Sequence, residues 1–212
     1  MAHVSESAFL VLHGLRLKGF AASTVLAGLT GLAEVDVGGH LHELQAEGLA
    51  QYRDGRITGW SLTPTGRAVH ADRCREEVSA AGCWEQVERA YRDFLQVNQP
   101  FLIVCTDWQL RAGPDGAQAI NDHTDPGHDQ AVVSRLREIH GSVAPICITL
   151  SELMVRFSPY GPRLEQALER VESGENEWFT GALIESYHTV WFELHEDLLA
   201  TLGIARDSEV SR

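Results

Sequence analysis

The stretch that decides the fold runs from residue 37 to residue 67 and reads VGGHLHELQAEGLAQYRDGRITGWSLTPTGR. Val37, Leu41 and Leu44 recur at helical spacing and predict a helix over about residues 34–47 with one apolar face. Gly48 follows this helix, and beyond it the spacing of the apolar residues changes.

The second part of the stretch predicts a β-hairpin. Residues 49–52 and 57–62 are strand-like, and residues 53–56 between them are built on an Asp-Gly pair, which favours a tight turn. Pro64 then stands at a favoured first-turn position of a new helix.

Two further helices are predicted upstream, over residues 8–17 and from Ser23, a plausible N-cap, to Leu29. Three helices, a hairpin and a helix within about seventy residues is the order of a winged helix-turn-helix. The long segments that follow are mostly helical in pattern. We therefore predict a mainly α fold, with an N-terminal winged helix (three helices plus a β-hairpin wing) followed by an all-helical C-terminal domain.

Two segments resemble a known class of proteins. The end of the third helix with Gly48 and Leu49 resembles the LxxxGL ending of the recognition helix in MarR-, PadR- and GntR-like bacterial regulators. Leu62-Thr63-Pro64-Thr65-Gly66-Arg67 is similar to the LTxxGR segment that closes their wing. The resemblance covers roughly residues 7–70 and implies DNA binding through the third helix and the wing.

The candidate DNA-binding residues lie on these elements. Arg53 and Arg56 on the wing are candidates for phosphate or minor-groove contacts, and Ser23 and Thr24 offer hydroxyl and backbone N–H groups to a phosphate. The alternative is that Ser23 only caps its helix and the arginines are solvated. The remaining candidates are the exposed face of the third helix: Asp36, Gly38, Gly39, His42 and Glu43.

This exposed face departs from the related regulators, which often carry Ser, Thr, Arg or Gln there. His42 is expected to donate to a base edge or phosphate, and Glu43 to accept from a cytosine amine. Two glycines inside a helix cost about 1 kcal/mol each relative to alanine. Close approach of the backbone to DNA explains that cost; the alternative is a helix that frays or begins later.

Charge divides the chain. The net charge is −13, yet residues 1–75 hold seven basic and seven acidic side chains, so the whole excess follows residue 75. Such asymmetry predicts two domains with different partners, and we do not expect the second half to bind nucleic acid. We predict a winged-helix domain over residues 1–72, a connecting helix over 73–100, and an effector and dimerisation domain over 101–212.

The connecting helix has two readings. Residues 71–97 carry one apolar face, and the helical pattern is interrupted at Ala81-Gly82. Such a helix either builds a homodimer interface or packs on its own C-terminal domain. Residues 111–129 lack periodicity and predict a long loop. Residues 177–202 predict the clearest long helix, whose core stripe comprises Leu183, Tyr187, Val190, Leu194 and Leu198.

A small-molecule effector is expected in the C-terminal domain, because an apolar pocket with a few polar groups is the usual form of such a site. The alternative is a filled core without a cavity. The residues predicted to line the pocket are Asp107, Trp108, His188, Trp191 and His195.

A metal site is not predicted. One can be imagined from His188 and His195 together with Asp122, His123, Asp125, His128 and His140. GntR-type regulators of the FCD class bind metal through an Asp and three His, but this sequence lacks their closely spaced Asp-x-x-x-His pair. We therefore expect no cofactor.

The sequence favours one function and leaves a second open. It has no GxSxG, P-loop, GxGxxG or HExxH motif, so we do not expect an enzyme. Its apolar stretches are too short to cross a bilayer, it begins without a signal-peptide pattern, and its four cysteines form no CxxC pair, so we expect a cytoplasmic protein. The first hypothesis is a ligand-responsive, homodimeric transcriptional regulator that binds double-stranded DNA. The alternative is a winged-helix interaction module that regulates a partner enzyme without binding DNA.

Overall fold

The computed structural model describes residues 1–112 and 117–205. The chain is mainly helical, with two small antiparallel hairpins. It divides into two compact units, and the domain boundaries at residues 72 and 100 stay predictions. The first unit comprises Met1–Val87, Leu153–Arg156 and the chain from His195 onward, and the second comprises Glu88–Glu152 and Phe157–Leu194.

The first unit begins with three helices, a hairpin and a fourth helix. Their bounds are α1 Ser7–Lys18, α2 Ser23–Thr30, α3 Glu34–Ala46, β1 Ala50–Arg53, β2 Gly59–Leu62 and α4 Pro64–Ala81. Helices α1, α2 and α3 pack on one another, β2 lies against α1, and β1 lies against α3. The ends match local chemistry, because Gly31 after α2 and Gly48 after α3 have φ of +71° and +72°, which glycine adopts without strain.

One apolar core holds these elements together. The predicted stripe on α3 is confirmed, since Val37, Leu41 and Leu44 are all buried. The cluster draws on every element from α1 to β2 and on the turn before α2. Its members are Val11, Leu12, Leu15, Ala21, Leu26, Val37, Leu41, Leu44, Leu49, Ala50, Trp60 and Leu62.

The first hairpin is antiparallel and pairs Ala50 with Leu62 and Arg53 with Gly59. The second strand is shorter than the predicted 57–62. Trp60 also exchanges two backbone hydrogen bonds with Ala21, with N···O distances of 2.8 and 3.0 Å. The connection between α1 and α2 therefore adds a third short segment beside the hairpin.

The predicted connecting helix is wrong as a single element. Helix α4 begins with Pro64, its N-terminus is capped by the Thr63 hydroxyl, and it ends at Ala81. Gly82 has a left-handed backbone with φ of +62°, which stops the helix. A new helix, α5, starts at Trp84, so the interruption of the pattern at Ala81-Gly82 separates two helices.

The other elements are mostly helices. They are α5 Trp84–Gln109, β3 Leu110–Ala112, β4 Gln118–Ile120, α6 Pro126–Leu153, a short 3-10 helix Val155–Phe157, α7 Tyr160–Glu172, α8 Glu177–Thr180 and α9 Tyr187–Leu202. The second unit is rich in buried aromatic rings: Phe101 stacks on Trp191 with centroids 4.2 Å apart, and Trp108 contacts Phe179 at 4.8 Å.

The prediction of an all-helical C-terminal domain is corrected by the second hairpin. Leu110 pairs with Ile120 and Arg111 with Ala119, so all of this hairpin except Leu110 lies in the segment predicted as the loop 111–129. Ile120 is largely exposed, so the strand has no apolar alternation from which it could be read. The same segment also holds the start of α6, and its residues 113–116 lie outside the described chain.

The long helix predicted over residues 177–202 is also wrong in its first third. Helix α8 ends at Thr180 because Gly181 adopts an extended backbone, and α9 starts only at Tyr187. The Ser186 hydroxyl accepts a hydrogen bond from the Thr189 N–H at 3.2 Å and so caps α9. Leu183 is fully exposed and is no core residue, whereas Tyr187, Val190, Leu194 and Leu198 are buried as predicted.

Candidate functional site

The outward face of α3 carries the predicted recognition residues. Because Val37, Leu41 and Leu44 face the core, the helix turns Asp36, Gly39, His42 and Glu43 to the surface, and Gly38 is half-buried. These five positions thus lie on one element, as expected.

Packing does not explain the two glycines of α3. Outside the adjoining backbone of α3 itself, a Cβ added at Gly38 or at Gly39 meets no atom of the described chain within 4 Å. Both residues lie inside a continuous helix, so the alternative of a helix that begins after them is wrong. Their cost to helix stability is therefore not offset by a close contact within the described chain.

His42 connects α3 to the hairpin. Its Nδ1–H donates to the Gly38 carbonyl oxygen at 2.7 Å, and its ring edge meets Trp60 with centroids 5.6 Å apart. The Tyr52 ring packs on the same tryptophan, with ring centroids 5.1 Å apart. This arrangement fixes the imidazole and leaves Nε2 as the nitrogen able to meet a ligand. Glu43 is within 3.1 Å of the Nδ1 atom of His40.

The role of Ser23 is different from the predicted cap. Ala22 occupies the N-cap position of α2, with no side-chain cap, and the Ser23 hydroxyl donates to the Glu34 carboxylate at 3.1 Å. Ser23 is half-buried by this contact, and Thr24 beside it is exposed. Of the two, Thr24 is the more accessible hydroxyl at the start of α2.

The hairpin tip presents two cations. Arg53, at the end of β1, and Arg56, in the turn, are both exposed. Within residues 1–112 and 117–205, neither guanidinium forms an ion pair. Both arginines are therefore accessible to a ligand, on a hairpin whose strand β1 packs against α3.

The predicted effector residues of the second unit fall into two groups. Trp108 is buried between Phe179 and His123, with ring centroids 4.8 and 4.5 Å away. Asp107 next to it accepts a hydrogen bond from Arg135 at 2.7 Å. These contacts of Asp107 and Trp108 differ from those of His188 and Trp191.

His188 and Trp191 form the second group through Phe101. Trp191 is fully buried, stacks on Phe101 and donates from Nε1 to the Asn98 side chain at 2.9 Å. His188 is half-buried against Phe192, and burial lowers its pKa below the ordinary value. His195, the fifth predicted residue, is buried in the first unit. The contacts of both tryptophans are those of core residues, and the effector pocket stays a prediction.

A buried polar cluster in the first unit was missed by the sequence analysis. His13 on α1 and His70 and Cys74 on α4 approach one another: His13 Nδ1 lies 2.9 Å from His70 Nε2, and the Cys74 sulfur lies 3.4 Å from His70 Nε2 and 3.9 Å from His13 Nδ1. Phe9 covers both rings by stacking. Among the described residues, these three can hold one metal ion between them.

Charged groups surround this cluster. His13 Nε2 lies 3.0 Å from the Asp197 carboxylate, and Arg156 pairs with both Asp197 and Glu77. All three charged side chains are buried. The guanidinium and His13 keep the pKa of Asp197 low despite its burial, whereas burial raises the pKa of Cys74 to about 12.

The imagined metal set of the loop does not converge. His123 pairs with Asp129 at 3.0 Å, the His128 ring donates to the Asp107 carbonyl oxygen at 2.8 Å, and the His140 ring lies 3.3 Å from the Tyr187 hydroxyl. Each imidazole thus has a separate partner. The signal that points to the observed cluster is the i, i+4 spacing of His70 and Cys74, which places both on one face of α4.

A cleft of about 500 Å³ opens beside the cluster. Phe9, one of its walls, stacks on His13 and His70, and Glu77, another, pairs with Arg156. The cleft is lined by His3, Val4, Glu6, Phe9, Arg73, Glu76, Glu77 and Ala80.

Within the described residues, no helix combines the length and apolarity that crossing a bilayer requires. No family model matches this sequence, and no curated protein and no solved structure shows significant similarity to it.

Proposed function

We propose that the first unit is a winged helix that binds double-stranded DNA, and that the protein is a transcriptional regulator. The observation that carries the proposal is the pair of exposed guanidiniums, Arg53 and Arg56, at the tip of a hairpin whose first strand packs against α3. A helix of this size fits the major groove, and a hairpin beside it reaches phosphates or the adjacent minor groove.

The charges suggest how such binding divides between affinity and specificity. Arg53 and Arg56 supply attraction to phosphates, which is independent of sequence. Asp36 and Glu43 on α3 are repelled by phosphates and are suited instead to accept hydrogen bonds from cytosine amines in the groove. Gly39 offers a surface without a side chain, where backbone and DNA can come close.

The regulator proposal includes two further parts. Two arginines give weak attraction, so we propose a homodimer whose two winged helices bind one operator together. The second unit is proposed to sense a small molecule that favours one spacing of the recognition helices, which requires different affinities for the two states. We propose the cytoplasm as the place of action.

A second candidate function is favoured by the composition of α3. The helix Glu34–Ala46 carries three carboxylates and no lysine or arginine, which is unusual for an element that enters a polyanion. The alternative proposal is therefore a winged helix that docks a basic surface of a partner protein and regulates it without DNA.

Fluorescence anisotropy distinguishes the two candidates. The purified protein is titrated onto DNA from upstream of its own gene and onto a scrambled duplex, at several salt concentrations. The regulator proposal predicts tighter binding to the first duplex, weakened by salt, and at least about tenfold weaker binding by the double variant Arg53→Ala/Arg56→Ala. Arg92→Ala, an exposed arginine of α5, is the matched control and is expected to bind as the wild type does.

Equal and feeble binding to both duplexes would overturn the DNA-binding proposal. The same holds if the double variant and the wild type bind equally well, because the wing then contributes nothing. A pull-down with immobilised protein, compared with the variant Asp36→Asn/Glu43→Gln, then tests the docking alternative.

A further inference from the structure

We propose that His13, His70 and Cys74 form a binding site for one divalent transition-metal ion of the zinc type. The site lies wholly within the first unit and joins α1 to α4. The site is separate from the proposed DNA contacts, so its test does not depend on whether the protein binds DNA.

The spacing of the donor atoms carries the proposal. Zinc binds histidine nitrogen at about 2.0–2.1 Å and cysteine sulfur at about 2.3 Å, so tetrahedral ligands are about 3.3 Å apart for two nitrogens and about 3.5 Å for nitrogen and sulfur. The observed separations are 2.9 Å between the nitrogens and 3.4 and 3.9 Å from sulfur to nitrogen. Small side-chain adjustments therefore bring all three atoms onto one ion.

The support around these ligands matches that of known metal sites. His13 presents Nδ1 to the other two donors, while its Nε2 faces the Asp197 carboxylate at 3.0 Å and lies 3.2 Å from Nη1 of Arg156. A carboxylate on the far nitrogen fixes the orientation and tautomer of a metal-binding imidazole. His70 and Cys74 are one helical turn apart on α4, and all three ligands are held by helices.

The charges around the three donors are compatible with a bound cation. With neutral rings and a neutral thiol, the cluster contains the carboxylates of Glu77 and Asp197 but the one guanidinium of Arg156. A dication bound to a Cys74 thiolate adds one net positive charge and makes the group neutral, which lowers the cost of burying it.

Three protein ligands leave one tetrahedral position for water or a ligand from the cleft. Phe9 stacks on both histidines and lines the cleft, and Glu77 lines it as well. Displacement of the Phe9 ring would connect the cleft to the cluster, and a buried metal site requires such a route of entry.

Cobalt is the probe that tests the site. The full chain is stripped with a chelator, reduced, and titrated with Co²⁺ under anaerobic conditions. We expect one Co²⁺ per chain, visible bands of tetrahedral cobalt, and a near-ultraviolet charge-transfer band from the thiolate, all removed when Zn²⁺ is added. Cys74→Ala is expected to lose the charge-transfer band and to bind Zn²⁺ more than about a hundredfold more weakly.

The matched control is Cys83→Ala, a buried thiol of the same unit outside the cluster, which is expected to keep both the band and the affinity. The absence of Co²⁺ or Zn²⁺ binding to the wild type overturns the proposal, and so does a charge-transfer band that survives in Cys74→Ala. If Cys74→Ala does not fold, X-ray absorption of the zinc-loaded wild type decides: one sulfur and two imidazoles support the site, and any first shell without sulfur refutes it.

Discussion

At the scale of single residues, the strongest constraint is the buried cation Arg156. Its guanidinium donates to Glu77 at 3.0 Å, to Thr201 at 2.6 Å and to Asp197, and only 3% of its side chain is exposed. Removing one partner of a buried ion pair leaves uncompensated charge in a poorly solvated place. Arg156 is thus the cation shared by both carboxylates, and Asp197 is also paired with His13.

We expect Arg156→Met to lower the free energy of unfolding by about 3–5 kcal/mol. The measurement is urea denaturation followed by circular dichroism. The control is Arg92→Met, which removes an exposed i, i+4 pair with Glu88 and is expected to cost no more than about 0.5 kcal/mol. Equal stabilities of the two variants would show that the buried ion pairs of Arg156 contribute no more to stability than a surface pair.

His188 gives a prediction about pH. Burial against Phe192 lowers its pKa, so the folded protein keeps this imidazole neutral below the pH at which the unfolded chain, with a pKa near 6.5, becomes protonated. The unfolded state therefore binds more protons, and the contribution of the neutral His188 to stability is lost as the pH falls below about 6.5. It is fully present above that value.

Proton NMR measures this directly. The ring resonance of His188, assigned by its absence in His188→Gln, is expected to titrate with a midpoint below 6.5, and the variant is expected to lose less stability between pH 7.5 and pH 5.5. A midpoint at or above 6.5 contradicts the prediction.

At the scale of elements, glycines at two helical positions are expected to respond in opposite ways to the same substitution. Gly39 in α3 has open space where a Cβ would stand, whereas a Cβ at Gly66 in α4 would lie 1.9 Å from the Leu49 carbonyl oxygen. Alanine is preferred over glycine inside helices because it restricts the unfolded chain. Where backbone blocks the Cβ, this gain is outweighed by the clash.

We expect Gly39→Ala to raise the free energy of unfolding by about 0.5–1 kcal/mol, and Gly66→Ala to lower it. Chemical denaturation of both variants is the measurement. If the glycine serves close approach to DNA, the stabilised Gly39→Ala variant is also expected to bind the upstream duplex more weakly. Destabilisation by Gly39→Ala would mean that the position is constrained within the protein itself.

The elements also show what the sequence could and could not predict. Helix α3 could be predicted because its buried residues Val37, Leu41 and Leu44 are apolar at helical spacing, and Gly48 follows its end. The second hairpin was not, because exposed Ile120 gives it no alternation and backbone pairing alone forms it. Leu183 fits the helical period of α9, yet the backbone at Gly181 ends the helix before it. Local periodicity cannot report such interruptions.

The same limit applies to the sites. The exposed face of α3 follows from its buried face, so its residues could be predicted. His13 and His70 are fifty-seven residues apart in sequence and meet only when α1 packs on α4. Arg156, which also contacts His13, is 143 residues from it in sequence, and Asp197 lies a further 41 residues along the chain. Contacts of this kind depend on tertiary packing, which a single sequence does not reveal.

At the scale of the whole molecule, the net charge of −13 makes DNA binding by a single chain unfavourable outside the arginine-bearing hairpin. A dimer brings two hairpins to one duplex. We therefore expect a complex with two chains per operator, and a free protein of twice 23.4 kDa in sedimentation.

The salt dependence of binding counts these contacts. Each neutralised phosphate contributes about −0.9 to the slope of log K against log salt concentration, so Arg53 and Arg56 from two chains predict a slope of about −3.6, and from one chain about −1.8. In a dimer, Arg53→Ala removes two contacts and is expected to make the slope shallower by about 1.8. Anisotropy titrations between low and moderate salt measure both values, with Arg92→Ala as the control whose slope stays unchanged. A wild-type slope near −1.8 would assign binding to one hairpin, and a slope unaffected by Arg53→Ala would place the phosphate contacts elsewhere on the protein.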